Sequence, residues 1–313
     1  MTQPIISREM KQWVDVYRPT HLSDVISHQH ILKIVKNMIE NNCLTHLLFN
    51  GQRGLGKTTV IQTVLNELYG SQQNIMTLKL NASNHRGIEV VRQEIKGFVT
   101  TRMMFSDKPK FVILDEADSM TMDAQLALRR IMDRYSKNAK FCIICNYIRK
   151  IHPALISRCV QLRFSPLRNE DMKERLQYII QKENITIPDD LLAKLIDISD
   201  HDMRRAIFML QALSFEKNKT KERLCSIFKY PTDVQIDECI SLINLPLEER
   251  IEKIIQWVDE YGYHLSTLIQ IYFKHCLEQK EYLKIKQLAQ LEDQLNGEYS
   301  NELQIYALVS IFE

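Results

Sequence analysis

Apolar residues recur in two different periods along the first half of the chain, which predicts strands separated by helices. The strand cores FVILD and FCIIC are almost continuously apolar, as in strands covered on both faces. The predicted strands are His46–Asn50, Ile75–Leu80, Lys110–Asp115, Phe141–Asn146 and Val160–Phe164, and the predicted helices between them are Lys57–Tyr69, Ile88–Phe98 and Thr121–Tyr135. Because helices separate the strands, we expect an α/β fold with a mostly parallel sheet.

Beyond Leu167 the strand runs stop and the pattern becomes helical. It predicts helices at Asp171–Lys182, Pro188–Ile198 and His201–Leu213, followed by five further amphipathic helices that reach Phe312. The sign of the charge changes near Tyr230 and Pro231, where we place a second boundary. The predicted domains are therefore an α/β domain over 1–166, a small helical domain over 167–230 and an all-α domain over 231–313.

Charge is distributed unevenly, although the 313-residue chain has a formal net charge of only +2. Residues 129–168 hold ten Lys or Arg against the single acid Asp133, whereas residues 232–313 hold fifteen acids against six bases. This asymmetry hints at a polyanionic partner for the basic part and a protein partner for the acidic part, but such charge runs are more often simply solvated faces.

Composition excludes several classes of protein. With 45% hydrophobic and 26% charged residues the chain is typical of globular proteins rather than disordered ones. No stretch approaches the roughly 20 apolar residues that a bilayer span requires, and the N-terminal residues lack the order of a signal peptide. The seven scattered cysteines suit reduced thiols. We therefore expect an intracellular protein without a membrane span.

A phosphate-binding loop is the most specific motif. The segment Gly51, Gln52, Arg53, Gly54, Leu55, Gly56, Lys57, Thr58 has the spacing G, four residues, G, K, then S or T, between a predicted strand and a predicted helix. Glycines let backbone N–H groups face phosphate oxygens, and the helix N-terminus adds a positive dipole end. The loop predicts a nucleotide site in which Lys57 reaches the outer phosphates and Thr58 supplies its hydroxyl to Mg²⁺.

Polar residues also follow two of the predicted strands. Asp115 and Glu116 end one strand at the carboxyl edge of the sheet, where ligands bind in open α/β folds. Since successive strand side chains point opposite ways, we expect Asp115 to face the metal and Glu116 to face an attacking water. Asn146 ends the next strand, and its amide could hold the γ-phosphate or the water, or it could be an ordinary turn residue.

Several further segments resemble motifs of one protein family, and they occur in the same order along the chain as in that family. WVDVYRP at 13–19, NAS with RGI at 81–88, DEADSM at 115–120, SRC at 157–159 and DMRRA at 202–206 are similar to motifs of the AAA+ ATPases, and more narrowly of the small subunits of replication factor C, the sliding-clamp loader. The resemblance covers at least residues 12–215. It implies an AAA+ core with a parallel sheet, a helical lid and an all-α C-terminal collar.

The resemblance implies a role for individual residues. Val14, Tyr17, Arg18 and Ile26 would line the adenine pocket, and the phosphate loop with Thr59 would bind the rest of ATP. Asn146 would be sensor 1 and Arg204 sensor 2, while Arg158 would reach as an arginine finger into the ATP site of a neighbouring subunit. The implied DNA contacts are Arg86, Ile88, Arg92, Arg129 and Arg130, although Arg129 and Arg130 could instead pair with acids inside the domain.

The implied function is a subunit that binds and hydrolyses ATP with Mg²⁺ to open a PCNA-like sliding clamp and load it onto primer-template DNA. Its partners would be sister subunits in a pentameric ring, the clamp and the DNA, and its place the nucleus if the source is eukaryotic. Two alternatives stay open: a structural ring member that binds ATP with little hydrolysis of its own, and another AAA+ DNA-remodelling or initiator ATPase.

Overall fold

The chain forms two compact units, Met1–Phe215 and Glu216–Glu313. The computed structural model describes residues 12–83, 89, 91–101, 108–294 and 301–312. The first unit contains the whole sheet, and every secondary-structure element among the described residues of the second is a helix. The three-part division at 166 and 230 stays a prediction.

The sheet of the first unit is parallel and has five strands within the described residues, in the order β2-β3-β4-β1-β5. The strands are β1 (Leu47–Asn50), β2 (Thr77–Asn81), β3 (Lys110–Asp115), β4 (Ala139–Cys145) and β5 (Val160–Arg163). Asn50 pairs with Cys145, and Asn81 pairs with Asp115. The carboxyl ends of the strands therefore meet at one edge, where the polar residues that follow them are brought together.

Helices cover the sheet and continue beyond it. Those of the first unit are α1 (Trp13–Val16), α2 (Gln29–Glu40), α3 (Lys57–Tyr69), α4 (Gln73–Met76), α5 (Lys96–Thr100), α6 (Met122–Tyr135), α7 (Pro153–Ile156), α8 (Asn169–Glu183), α9 (Asp189–Ile198) and α10 (Met203–Ser214). Side-chain caps fix two of the starts: Thr121 Oγ1 accepts the N–H of Ala124 at 3.3 Å before α6, and Asp202 Oδ1 accepts the N–H of Arg205 at 3.0 Å before α10.

All helices of the second unit except its first pack around one apolar core within the described residues. The helices of this unit are α11 (Lys221–Phe228), α12 (Asp233–Ser241), α13 (Leu247–Tyr261), α14 (Leu265–Glu278), α15 (Tyr282–Gln294) and α16 (Asn301–Ser310). Trp257, Leu268, Tyr272 and Leu308 are among its buried residues. Helices α12 to α16 correspond to the five amphipathic helices that the sequence predicts. Nowhere in the described part of the chain does a helix combine the length and apolarity needed to cross a membrane.

Many element boundaries differ from the sequence-based prediction by one or two residues, and three differences change the description of the first unit. Strand β2 begins at Thr77 because Ile75 belongs to α4, where it is exposed. Strand β4 ends at Cys145, so that Asn146 lies outside it. Within the predicted helix Ile88–Phe98, residues Val91–Ile95 form a π-helical turn that leads into α5.

Candidate nucleotide-binding site

The phosphate loop joins β1 to α3 with a backbone that requires glycine. Gly54 and Gly56 have φ angles of +73° and +87°, in the left-handed region that residues with a Cβ rarely adopt. Lys57 is the first residue of α3, so the loop leads directly into a helix N-terminus. Free N–H groups and the positive end of the helix dipole at this point favour an anionic ligand.

The ammonium group of Lys57 lies inside this loop. Nζ donates to the carbonyl oxygens of Gly51 and Gln52 at 2.6 Å each, and to Oδ1 of Asn146 at 3.0 Å. These contacts match the three N–H donors of a lysine. Burial lowers the pKa of Lys57, and the nearby Asp115 carboxylate opposes that shift. The contact with Lys57 favours the interpretation of Asn146 as a residue of the nucleotide site over its interpretation as an ordinary turn residue.

Thr58 and Asp115 place two oxygen ligands side by side. Thr58 Oγ1 donates to Asp115 Oδ2 at 2.9 Å, across the gap between α3 and the end of β3. Asp115 Oδ1 accepts the backbone N–H of Glu116 at 3.0 Å, which fixes the carboxylate plane. A hydroxyl and a carboxylate are hard donors of the kind that Mg²⁺ takes alongside phosphate oxygens. The residues present therefore fit a nucleotide-bound magnesium ion.

Glu116 lines the site from a turn after β3, whereas the sequence predicts that it belongs to the strand. Strand β3 ends at Asp115, and Glu116 has a φ of +54°, in the left-handed region. The expectation that alternating strand side chains separate Asp115 from Glu116 is therefore wrong, since Glu116 is outside the strand. The sharp turn instead leaves both carboxylates lining one cleft. A left-handed conformation is uncommon for a glutamate.

The N-terminal segment around α1 is attached to two helices of the predicted lid, residues 167–230, the first of which is α8. The hydroxyl of Tyr17 donates to Glu183 Oε1 at 2.5 Å, and Arg175 donates to the carbonyl oxygen of Tyr17. Burial and the bond to Glu183 raise the pKa of Tyr17 to about 12, so its hydroxyl remains a donor at neutral pH. The backbone N–H of Trp13 donates to Gln211 of α10 at 3.1 Å. Two lid helices therefore hold the segment predicted to bind adenine.

Helix α10 packs its N-terminus against the phosphate loop. A Cβ atom added to Gly54 would lie 1.9 Å from Asp202 Oδ1, so the carboxylate that caps α10 is in contact with the loop backbone. His201, with a φ of +59°, donates through Nδ1 to the carbonyl oxygen of Leu167 at 2.8 Å. This packing places Arg204 in the wall of the cleft, where its positive charge also contributes to the lowered pKa of Lys57.

One cleft brings together most of the residues predicted to bind nucleotide. From that set it is lined by Val14, Tyr17, Arg18, Ile26, Arg53, Gly54, Leu55, Gly56, Lys57, Thr58, Thr59, Asp115, Glu116, Asn146 and Arg204. Gly51 and Gln52 contribute through the carbonyl oxygens that hold Lys57. The individual roles of these residues stay predictions.

The predicted finger and DNA contacts lie elsewhere. Arg158 is not among the cleft residues; it forms a bidentate ion pair with Asp133 of α6. Arg129 Nε lies 3.8 Å from Asp133 Oδ2, which favours the internal pairing for that residue, whereas Arg130 is exposed. Arg86 and Ile88 lie outside the described residues, and only the backbone of Arg92 is described.

Sequence reasoning missed several residues of the cleft. Arg175, Asp171 and Ile207 line it from the lid, and Asp24 lines it from the N-terminal segment. They belong to no short motif, because helix packing rather than spacing in the chain brings them to the nucleotide side. Asp133, which lies outside the cleft and pairs with Arg158, was also missed, although the sequence marks it as the single acid within residues 129–168.

Comparisons with known proteins identify both parts of the first unit. The family model described as ATPase family associated with various cellular activities (AAA) matches residues 47–167. A second model, the RCF1/5-like AAA+ ATPase lid domain, matches residues 174–215. The RuvB Holliday junction branch migration motor of Thermotoga maritima has a TM-score of 0.58 at 14% identity, covering 84% of this chain and 91% of that one. Together these matches confirm the predicted fold.

Curated relatives resemble the chain over nearly its whole length. A probable replication factor C subunit 5 from Dictyostelium discoideum is 38% identical over 97% of this chain and 91% of the relative. Replication factor C subunit 5 of Mus musculus is 37% identical over 96% of this chain and 91% of the relative. Replication factor C subunit 3 of Blastobotrys adeninivorans is 48% identical over 64% of this chain and 59% of the relative. The chain therefore belongs to the AAA ATPases and, within them, to the family of replication factor C subunits.

Proposed function

We propose that this chain is a clamp-loader subunit that binds ATP with Mg²⁺ in the cleft and hydrolyses it at an interface with a neighbouring subunit. ATP binding would hold a PCNA-like sliding clamp open around primer-template DNA, and hydrolysis, triggered by the DNA, would then release the clamp onto it. The proposal rests above all on one observation. The cleft contains the phosphate loop, both carboxylates and Arg204, whereas Arg158 pairs with Asp133 instead of lining it.

Within the cleft the side chains divide the work of binding and hydrolysis. Lys57 and Arg204 offset the charge of the outer phosphates, and Thr58 with Asp115 holds the metal ion, which supplies Lewis-acid chemistry when bound. The carboxylate of Glu116 accepts a proton from the attacking water. Asn146, fixed 3.0 Å from Lys57 Nζ, orients the ammonium group and the water. The intact set of carboxylates disfavours a purely structural ring member.

Arg158 acts on the ATP of the next subunit. A guanidinium supplied from a neighbouring molecule stabilises the charge that develops during phosphoryl transfer, and its effect on hydrolysis is large. Hydrolysis thereby depends on assembly into a ring, which we expect to be pentameric and to include sister subunits. Residues 231–313, with their acidic helices, would form the collar of that ring, and we expect the ring to act in the nucleus if the source is eukaryotic.

DNA would contact the basic surface of α6. Arg130 is exposed on that helix and Arg129 lies one position before it. Contacts of this kind with phosphates are independent of sequence and weaken as salt rises. Arg86, Ile88 and Arg92 are assigned to the same DNA surface by the family resemblance alone.

The test is ATP hydrolysis by the purified chain, alone and with its sister subunits, the clamp and primed DNA. We expect little turnover by the chain alone and stimulation by the full set. Arg158→Ala should leave ATP binding by the isolated chain unchanged and lower hydrolysis by the complex. A complex in which only this chain keeps its phosphate-loop lysine should still hydrolyse ATP.

Full-rate hydrolysis by the isolated chain, indifferent to partners and DNA, would contradict the proposal. If the isolated Arg158→Ala chain lost ATP affinity to the same degree as the complex lost hydrolysis, this arginine would belong to the ATP site of its own chain instead. No turnover by the complex that keeps Lys57 only in this chain would favour the structural ring member.

A further inference from the structure

The side chain of Arg158 is held in one orientation by contacts from two helices. From α6, Asp133 accepts two hydrogen bonds, from Nε to Oδ1 at 2.5 Å and from Nη2 to Oδ2 at 3.0 Å. From α7, the carbonyl oxygen of Ala154 accepts Nη1 at 2.7 Å. Ser157 Oγ lies 3.4 Å from Nη1. Two parallel hydrogen bonds to one carboxylate, such as those to Asp133, fix the plane of a guanidinium as well as its position.

The helices that supply these contacts are themselves joined. Gln125 of α6 is buried, and its Oε1 accepts the N–H of His152 at 2.7 Å, next to the start of α7. Its Nε2 donates to the carbonyl oxygen of Lys150 at 3.0 Å. Gln125 therefore links α6 directly to the segment that leads into α7 and Arg158.

We infer that Asp133 is a positioning residue for Arg158, one that sets the direction from which its guanidinium meets the ATP of a neighbouring subunit. The inference rests on the proposed role of Arg158 in the neighbouring site. An arginine side chain has many rotamers, and ordering it only when the ring assembles would cost conformational entropy. The carboxylate of Asp133 removes much of that freedom beforehand, which is how preorganised groups stabilise a transition state.

Asp133 also connects the finger to the predicted DNA surface. It lies one helical turn after Arg129 on α6, and Arg129 Nε is 3.8 Å from its Oδ2. Arg158 holds the pKa of Asp133 below its ordinary value, so the carboxylate is charged at neutral pH. Within residues 129–168 it is the only acid among ten basic residues. This one carboxylate thus contacts both the finger and a residue of the helix that would follow the DNA backbone.

The test measures ATP hydrolysis by the assembled complex containing Asp133→Ala, Asp133→Asn or Asp133→Glu. We expect kcat to fall about tenfold for Asp133→Ala, less for Asp133→Asn, which keeps one acceptor, and least for Asp133→Glu. KM for ATP and the ATP affinity of the isolated chain should not change, because Asp133 is not among the residues that line the cleft. Glu216→Ala is the matched control, since Glu216 and Arg223 form a bidentate pair of 3.1 Å contacts in the second unit.

A double variant separates positioning from a general effect on the fold. In a complex that already carries Arg158→Ala, adding Asp133→Ala should cause no further loss of kcat. A further loss, an unchanged kcat in the single Asp133→Ala complex, or a rise in hydrolysis would overturn the inference while leaving the finger role intact. An Arg158→Ala complex with full activity would overturn both.

Discussion

The hydroxyl of Thr58 lies 2.9 Å from Oδ2 of Asp115, and this contact joins the first turn of α3 to the end of β3. Both atoms are oxygen ligands that suit Mg²⁺, so the pair predicts that metal and nucleotide bind together. Thr58→Ala should lower ATP affinity about tenfold when Mg²⁺ is present, and Thr58→Ser, which keeps the hydroxyl, should restore most of it.

Titration of ATP into the full-length chain, with Mg²⁺ and with EDTA, measures this effect. In EDTA the Thr58→Ala and wild-type affinities should agree, because the hydroxyl then has no metal to contact. An equal loss of affinity in both buffers would show that Thr58 contributes through the structure of the loop instead.

Glu116 lies in a strained left-handed turn and lines the cleft. Glu116→Gln keeps the size of the side chain and removes the proton acceptor. We expect ATP binding to persist while kcat of the assembled complex falls at least about 100-fold, so that ATP, clamp and DNA stay together. Turnover and retention of labelled ATP by the complex measure the two effects.

Glu40→Gln is the control for that substitution, because Glu40 is exposed at the end of α2 and lies 3.9 Å from Lys36 in a loose surface pair. It should change neither turnover nor retention. Unaltered turnover in Glu116→Gln would mean that another group accepts the proton.

Local patterns in the sequence were sufficient for much of the fold. The helix Lys57–Tyr69 and the strand Lys110–Asp115 have the boundaries that the sequence predicts, because a phosphate loop, Gly70 and an apolar run leave little choice at their ends. The prediction was less accurate at Ile75, an apolar residue that occupies an exposed turn of helix before β2. A short apolar run alone does not distinguish these two states.

The site was predictable where residues near in sequence share a motif, and unpredictable where packing brings distant elements together. The loop from Gly51 to Thr58 and the pair Asp115 and Glu116 were evident from their spacing. The bonds from Arg175 to Tyr17 and from Arg158 to Asp133 span 158 and 25 residues of chain, respectively. Such contacts depend on how helices pack, which single-sequence patterns do not specify.

Gly54 and Gly56 offer a comparison between two glycines in left-handed conformations. A side chain at either position costs about 1 kcal/mol of backbone strain. Only Gly54 adds a clash, since its Cβ would lie 1.9 Å from Asp202 Oδ1, whereas Gly56 has nothing within 4 Å. Gly54→Ala should therefore lower the midpoint of thermal unfolding more than Gly56→Ala, measured without nucleotide.

The clash also predicts a partial rescue. Asp202→Ser shortens the side chain and keeps an oxygen that can cap α10. The double variant Gly54→Ala with Asp202→Ser should regain part of the lost thermal stability relative to Gly54→Ala. Equal unfolding midpoints for the two alanine variants would show that the side chain of Asp202 moves away from the new Cβ atom without a loss of thermal stability.

His46 couples the stability of the sheet to pH. Its Nδ1 accepts the backbone N–H of Phe141 at 3.2 Å, which requires the neutral ring with its hydrogen on Nε2. Burial lowers the pKa of His46 from 6.5 to about 4, and the positive charge of Lys140 adds to that shift. The unfolded chain therefore takes up a proton first as pH falls. The contribution of His46 is complete above pH 6.5 and is lost progressively as pH falls towards 4.

Urea unfolding at pH 7 and at pH 4.5 measures this loss, which we expect to be about 2 kcal/mol for the part due to His46. In His46→Asn, whose side chain does not titrate, the fall in unfolding free energy over this range should be smaller by that amount. Carboxylates also titrate here, but they do so in both proteins, so the difference isolates the histidine. His264→Asn, at an exposed position of the second unit, should follow the wild-type pH dependence. Parallel curves for wild type and His46→Asn would mean that the half-buried ring of His46 takes up its proton as readily as it does in the unfolded chain.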